Sequence, residues 1–151
     1  MNIEAVANNA PRTVLVVDNF EPVLEVAETY LESEGYAVFT ATSGIGALRV
    51  AQQYPGAIDV LLTEEQLPDM NGTVLSARIK LYRPTLAVIV MSAALQGKTY
   101  QEYEAQHGAL FLWKPFSKSE LIIRVSAVLQ EKADAAVAGT TEGCGPAPSS
   151  A

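Results

Sequence analysis

Five short apolar runs, each followed by a stretch with helical spacing, constrain this chain more than any other feature. Thr13 to Val17 is β-branched and almost wholly apolar, as a strand buried on both faces of a parallel sheet requires. Pro22 suits a first helical turn, and Val23, Val26, Ala27, Tyr30 and Leu31 recur at helical spacing up to a stop at Gly35. Ala37 to Thr40 reads as the second strand. Ser43 caps a second helix with apolar positions at Ile45, Ala47, Leu48 and Ala51, closed by Pro55-Gly56. Ile58 to Thr63 is the third strand, and Thr73 to Leu81 the third helix, stopped before Pro84. Leu86 to Met91 is the fourth strand, Thr99 to Gln106 a helix of weak periodicity, and Leu110 to Leu112 the fifth strand. Ser117 starts the last helix, whose stripe is Leu121, Ile122, Val125 and Leu129.

Strands that alternate with helices pair in parallel, because the helices serve as crossovers. The expected fold is a doubly wound α/β domain, a five-stranded parallel sheet flanked by five helices in flavodoxin-like order. Sites in such sheets lie beyond the carboxyl ends of the strands, where the winding direction switches. Asp18 and Asn19 follow strand one, Glu64 follows strand three, Ser92 strand four and Lys114 strand five. Topology therefore gathers all of them at one sheet edge.

Composition removes several classes of function. A chain of 151 residues with 49% hydrophobic and 18% charged residues is long enough for one packed domain. A net charge of -7 disfavours nucleic acid, whose phosphates need a basic surface. Cys144 is the lone cysteine, so no internal disulfide forms. No apolar run has membrane-spanning length and the N-terminus lacks a signal-peptide pattern, so a cytoplasmic protein without a membrane contact is expected. Residues 1–11 read as a polar leader, 12–131 as the domain, and 132–151, rich in Ala, Gly and Pro, as a flexible tail. With neither a recognition helix nor a catalytic module, output is expected to pass through another protein.

Three segments carry a specific resemblance. They are Val14-Leu15-Val16-Val17-Asp18-Asn19, then Thr63-Glu64-Glu65-Gln66-Leu67-Pro68-Asp69-Met70-Asn71-Gly72, and Leu112-Trp113-Lys114-Pro115-Phe116. With Ala41-Thr42-Ser43-Gly44 and Gly108-Ala109 between them, they resemble the signature segments of bacterial two-component response-regulator receiver domains, over roughly Pro11 to Leu129. The resemblance implies a phosphoacceptor carboxylate four residues before the loop proline, accepting a phosphoryl group from a histidine kinase. It also implies a magnesium ion on nearby acids, a hydroxyl and a lysine on the phosphoryl group, and an aromatic switch residue in strand five.

Carried over residue by residue, the pattern is altered at its chemical centre. Asp18 matches the first acid, whereas Asn19 puts a neutral amide in place of the second. Phe20 stands where a further acid is common. Glu64 occupies the acceptor position, and Gln66 the position whose backbone carbonyl completes the metal shell. Ser92 and Lys114 match the phosphoryl-contacting pair, and Phe111 the switch aromatic. The metal positions are thus Asp18, Asn19, Glu64 and Gln66, and magnesium is expected to bind weakly and not to be required.

Glu64 keeps the carboxylate charge but carries it roughly 1.3 Å farther forward than an aspartate. An oxygen there can reach the space of a phosphoryl oxygen, within range of Lys114 and Ser92. It is a partial mimic, one charge against about -1.5 to -2 for a phosphate. As a nucleophile it is misplaced, and an error on the order of 1 Å costs ~10²-fold in rate. Using Glu65 instead would require a one-residue slip that turns the apolar set of the strand over. His107, at a helix end, and Trp113 and Phe116, beside Lys114, read as ordinary capping and packing or interface residues.

The expected function is a noncatalytic, stand-alone atypical receiver that binds protein partners, with a histidine kinase, a downstream effector or a second copy of itself as candidates. A genuine phosphoacceptor with impaired magnesium-dependent transfer is the alternative. A flavodoxin-like cofactor binder is a third reading, but Asp18-Asn19-Phe20-Glu21 offers an anionic loop where a phosphate would need glycines and hydroxyls.

Overall fold

The computed structural model describes residues 10–93, 99–107 and 109–144. Five strands form one parallel sheet: β1 (Thr13–Val17), β2 (Ala37–Ala41), β3 (Val60–Glu64), β4 (Ala87–Ser92) and β5 (Leu110–Trp113), in the order β2-β1-β3-β4-β5. The helices are α1 (Glu21–Ser33), α2 (Gly44–Gln53), α3 (Gly72–Lys80), α4 (Tyr100–His107) and α5 (Lys118–Cys144). This is the doubly wound arrangement expected, with strand boundaries displaced by a residue or two. The larger displacement is in the third strand, which begins at Val60 rather than Ile58 and includes Glu64.

Strand alternation builds two cores from one sheet. Leu15, Val17, Leu61, Val88, Val90 and Phe111 face α2, α3 and α4, where they meet Ala47, Ala51, Leu75, Ile79 and Tyr103. Val14, Val16, Val60, Leu62, Ile89, Met91 and Leu112 face α1 and α5, meeting Leu24, Ala27, Leu31, Leu121 and Val125. Both faces of the sheet are covered, which is why the central strands have no polar alternation.

Local chemistry sets the helix ends. Gly35 adopts φ 90° after α1, a left-handed stop that a side chain would resist, and Tyr36 N–H closes onto Leu31 O at 3.1 Å. The start of α2 is capped twice. Ser43 Oγ accepts from Gly46 N–H at 3.0 Å, and the Asp69 carboxylate, arriving from the loop after β3, accepts from Gly44 and Ile45 N–H at 2.9 and 2.8 Å. Those two backbone bonds hold the Asp69 pKa below its ordinary value. The α5 helix opens with a reciprocal Ser117–Glu120 capping box, both bonds 3.1 Å.

The α5 helix does not end near Leu129. It continues through Cys144, across the stretch from about Ala133 read above as flexible tail. Alanine propagates a helix better than any other residue, and Ala133, Ala135, Ala136 and Ala138 fall in that stretch. Residues 1–9 of the leader and the last residues, 145–151, lie outside the described residues. Among the described residues, no helix is long and apolar enough to cross a membrane.

Candidate functional site

The carboxyl ends of β1, β3, β4 and β5 deliver the polar residues. In this strand order the winding reverses between β1 and β3, so Asp18 and Glu64 stand on either side of the switch point. The chain leaves β1 through an Asx turn in which Asp18 Oδ1 accepts from Phe20 N–H at 2.9 Å. Asp18 N–H in turn donates to Ala41 O at 3.1 Å, tying the turn to the end of β2. After β3 the loop is closed by Glu65 N–H on Met91 O and Gly72 N–H on Glu65 O, both at 2.8 Å. A side chain at position 72 would place its Cβ 2.4 Å from Glu64 O, so only glycine lets α3 start this close to the strand.

Lys114 crosses the sheet edge to join the acids. Its backbone N–H donates to Ser92 O at 2.9 Å, which registers the end of β5 against β4, and the Lys114–Pro115 peptide is cis. Its Nζ lies 2.8 Å from Asp18 Oδ2 and 2.9 Å from Glu64 Oε1. The lysine side chain is 12% exposed, that of Asp18 1% and that of Glu64 16%, so the triad is largely withdrawn from solvent. Burial pulls the Lys114 pKa down, but hydrogen bonds to Asp18 and Glu64 and their charges outweigh it, and the net shift is upward.

Of the residues the sequence singles out, Asp18, Glu64 and Lys114 are brought into contact. Ser92 ends β4 one residue beyond Met91, the partner of Glu64, and is nearly buried. Asn19 is exposed beside Asp18, and Gln66 is exposed in a bridge with Asn71. Phe111 points inward, 1% exposed, with its ring stacked on Tyr103 at 4.5 Å. Burial, and next the charge of Glu65, push the Tyr103 phenol pKa upward. Trp113 is 41% exposed with its indole N–H donating to Ala93 O, and Phe116 meets Tyr30 edge-on.

As arranged, the carboxylate oxygens are taken up by protein donors. Asp18 oxygens accept from Phe20 N–H and Lys114, and Glu64 oxygens from Lys114 and Glu65 N–H. A cation would have to displace an ammonium already bonded to both carboxylates. Among the described residues, no group of three or more His, Cys, Asp or Glu side chains converges.

Three contacts near the site left no mark in the sequence. Asp69 reaches 25 positions back to α2, and Glu104 on α4 binds both Phe111 N–H and Arg124 on α5. A Thr99–Glu102 capping box, with bonds of 3.1 and 3.2 Å, is the signal that would have strengthened α4.

Comparison with known proteins agrees with this geometry. The chain is 30% identical over 117 residues to the response regulator SaeR of Staphylococcus aureus, and 28% identical over 120 residues to the sensor kinase CckA of Brucella abortus. It covers 77% and 80% of itself in those matches, but spans only half of SaeR and 13% of CckA. Among solved structures, a response regulator receiver domain protein from Clostridium thermocellum superposes with a TM-score of 0.68 at 27% identity, over 80% of this chain and 96% of that one. Residues 14–126 match the family model of the response regulator receiver domain. On that match, which takes in both acids, the lysine and the switch-point geometry, the chain belongs to the response regulator receiver domain family of two-component signalling.

Proposed function

We propose that this chain is an atypical receiver in which Glu64 stands at the phosphoacceptor position, serves as a partial phosphoryl mimic, and leaves the domain to signal by binding other proteins. One observation carries the reading: the Lys114 ammonium lies 2.9 Å from Glu64 Oε1 while Phe111 is fully inward. A carboxylate one methylene longer than aspartate reaches the lysine without a phosphoryl group between them. Phe111 has no hydroxyl to satisfy in water, so its inward state costs nothing polar and gains apolar burial of about 1.5–3 kcal/mol. The same reach draws the carboxylate away from the position of an attacking aspartate and leaves it bonded to a cation, which lowers its nucleophilicity. The partner is a sensor kinase or an effector, or a second copy of the chain, and no catalytic turnover is assigned to the domain.

Incubating the protein with acetyl phosphate and magnesium should leave the intact mass unchanged. A stoichiometric phosphoryl adduct mapped to Glu64 would overturn the proposal in favour of a working phosphoacceptor with an unusual carboxylate.

Magnesium binding should be weak in the same reading. Asn19 supplies an amide in place of an acid, and Lys114 competes for Asp18 and Glu64. Trp113, the only tryptophan, is anchored to the loop after β4 and reports on this end of the sheet. Its fluorescence should not saturate in a micromolar magnesium titration. Saturation there would mean that the remaining oxygens displace the ammonium readily.

A further inference from the structure

Charge is segregated on this domain. Residues 44–58, which hold α2, and 70–86, which hold α3, include no Asp or Glu but carry Arg49, Arg78, Lys80 and Arg83. Helix α1 carries Glu21, Glu25, Glu28 and Glu32 and neither Lys nor Arg. The net charge of -7 thus conceals one cationic face and one anionic face.

The cationic face belongs to a tied helix pair. Asp69 holds the start of α2 to the loop leading into α3, and Arg83, just after α3, donates to carbonyls at the end of α2. Gln52 Nε2 donates to Tyr82 Oη at 3.1 Å, which sets these positions level. Both helices follow parallel strands, so the exposed residues one and two turns earlier are level too: Arg49 with Arg78, and Ile45 with Val74. Leu81 and Tyr82, 82% and 55% exposed, add a second apolar band beyond the arginines. Arg83 is engaged inward, but Arg49 and Lys80 enter no ion pair among the described residues. A cationic middle between apolar bands is complementary to an anionic helix with apolar flanks.

Helix α1 has that form. Its four glutamates recur at i, i+4, i+7 and i+11 and so make one stripe, with Val26, 40% exposed, beside it. None of the four enters an ion pair among the described residues. The α1 helix packs on the side of the sheet opposite α2 and α3.

We propose that copies of this chain associate head to tail, the glutamate stripe of α1 on one copy seated on the α2–α3 face of the next. With the two faces on opposite sides of the sheet, the contact is heterologous and leaves a free face at each end, so assembly proceeds past the dimer. This takes up the protein-binding reading above and selects its partner. Glu64 has no part in the contact, so a phosphoryl adduct in the mass assay would not bear on it, and its failure would leave the role of Glu64 as it stands.

Sedimentation velocity on the full chain tests it. At low salt the weight-average mass should climb past that of a dimer as concentration rises into the high micromolar range. In about 1 M salt, where the screening length is about 3 Å, it should fall back toward the monomer. Arg49→Gln with Arg78→Gln, and separately Glu25→Gln with Glu28→Gln, should each weaken association about tenfold. The glutamate pair makes the chain less negative, so association governed by net charge alone would strengthen instead. Mixed together, the two double variants keep one intact face each and should form a 1:1 complex that grows no further. The proposal is overturned if the wild type stays monomeric or stops at a dimer, or if high salt leaves its association intact. It is equally overturned if either double variant associates as the wild type does, or if their mixture yields anything but a 1:1 complex.

Discussion

Lys114→Met should lower the stability of the domain by about 3 kcal/mol, the range found when one partner of a buried ion pair is removed and the other is left behind. For a domain of this size that is a fall in Tm on the order of 10 °C, measurable by thermal or urea unfolding. The effect is large because two carboxylates, not one, lose their cation. Asp18 and Glu64 are almost withdrawn from water, 2.8 and 2.9 Å from the ammonium. Methionine matches the length of the lysine stem, so the loss reports charge rather than a cavity. The pH dependence adds an internal control. Folding raises the Lys114 pKa, so the pairing contributes fully below the ordinary lysine value and is lost as pH rises through the folded one. The gap between wild type and Lys114→Met should therefore persist at neutral pH and narrow only above 10.5. A variant as stable as wild type at pH 7 would mean that the triad is solvated in solution.

The convergence of that triad is legible in the sequence because it depends on few features. Once Thr13–Val17, Ile58–Thr63 and Leu110–Leu112 are read as strands of one parallel sheet, their carboxyl ends must share an edge, and Asp18, Glu64 and Lys114 lie just beyond them. Apolar strands and helix stops at Gly35 and Pro84 leave periodic marks, and these sufficed for the order of elements. What was not legible are side chains that bind distant backbone. Arg83 donates to the carbonyls of Ala51, Tyr54 and Gly56 at 2.7–3.2 Å and so ties the end of α2 to the approach to β4. Asp69 and Glu104 behave alike. Such contacts depend on where two loops meet, which neither hydrophobic period nor composition encodes. The length of α5 was missed for another reason. Small residues read as unable to bury area, yet a helix already started at Ser117 needs only propagation, which alanine favours.

Glu64→Asp combined with Asn19→Asp should turn a protein inert to acetyl phosphate into one that takes up a phosphoryl group in magnesium, seen as an added mass mapped to position 64. This follows from the proposed reading of Glu64 and would be the largest change any pair of substitutions here produces. The shorter side chain withdraws the carboxylate by roughly 1.3 Å, out of the lysine's immediate grasp and back toward an acceptor's position. Misplacement on that scale costs ~10²-fold on its own. Asn19 is exposed next to Asp18, so an aspartate there adds a second acid at the mouth of the site without repacking the core. The two acids can then hold a dication that offsets charge during transfer. Lys114 and Ser92 already stand at the strand ends to receive the phosphoryl group, once the ammonium yields Asp18 to the metal. Each single substitution separates the two contributions: Glu64→Asp alone restores the acceptor but not the metal, and Asn19→Asp alone does the reverse, so both should fall well short of the pair. If the double variant stays inert while remaining folded, the departure from phosphotransfer lies beyond these two positions. A domain that serves only to dock a partner would then be the better account of a receiver that keeps its lysine but ties it to a glutamate.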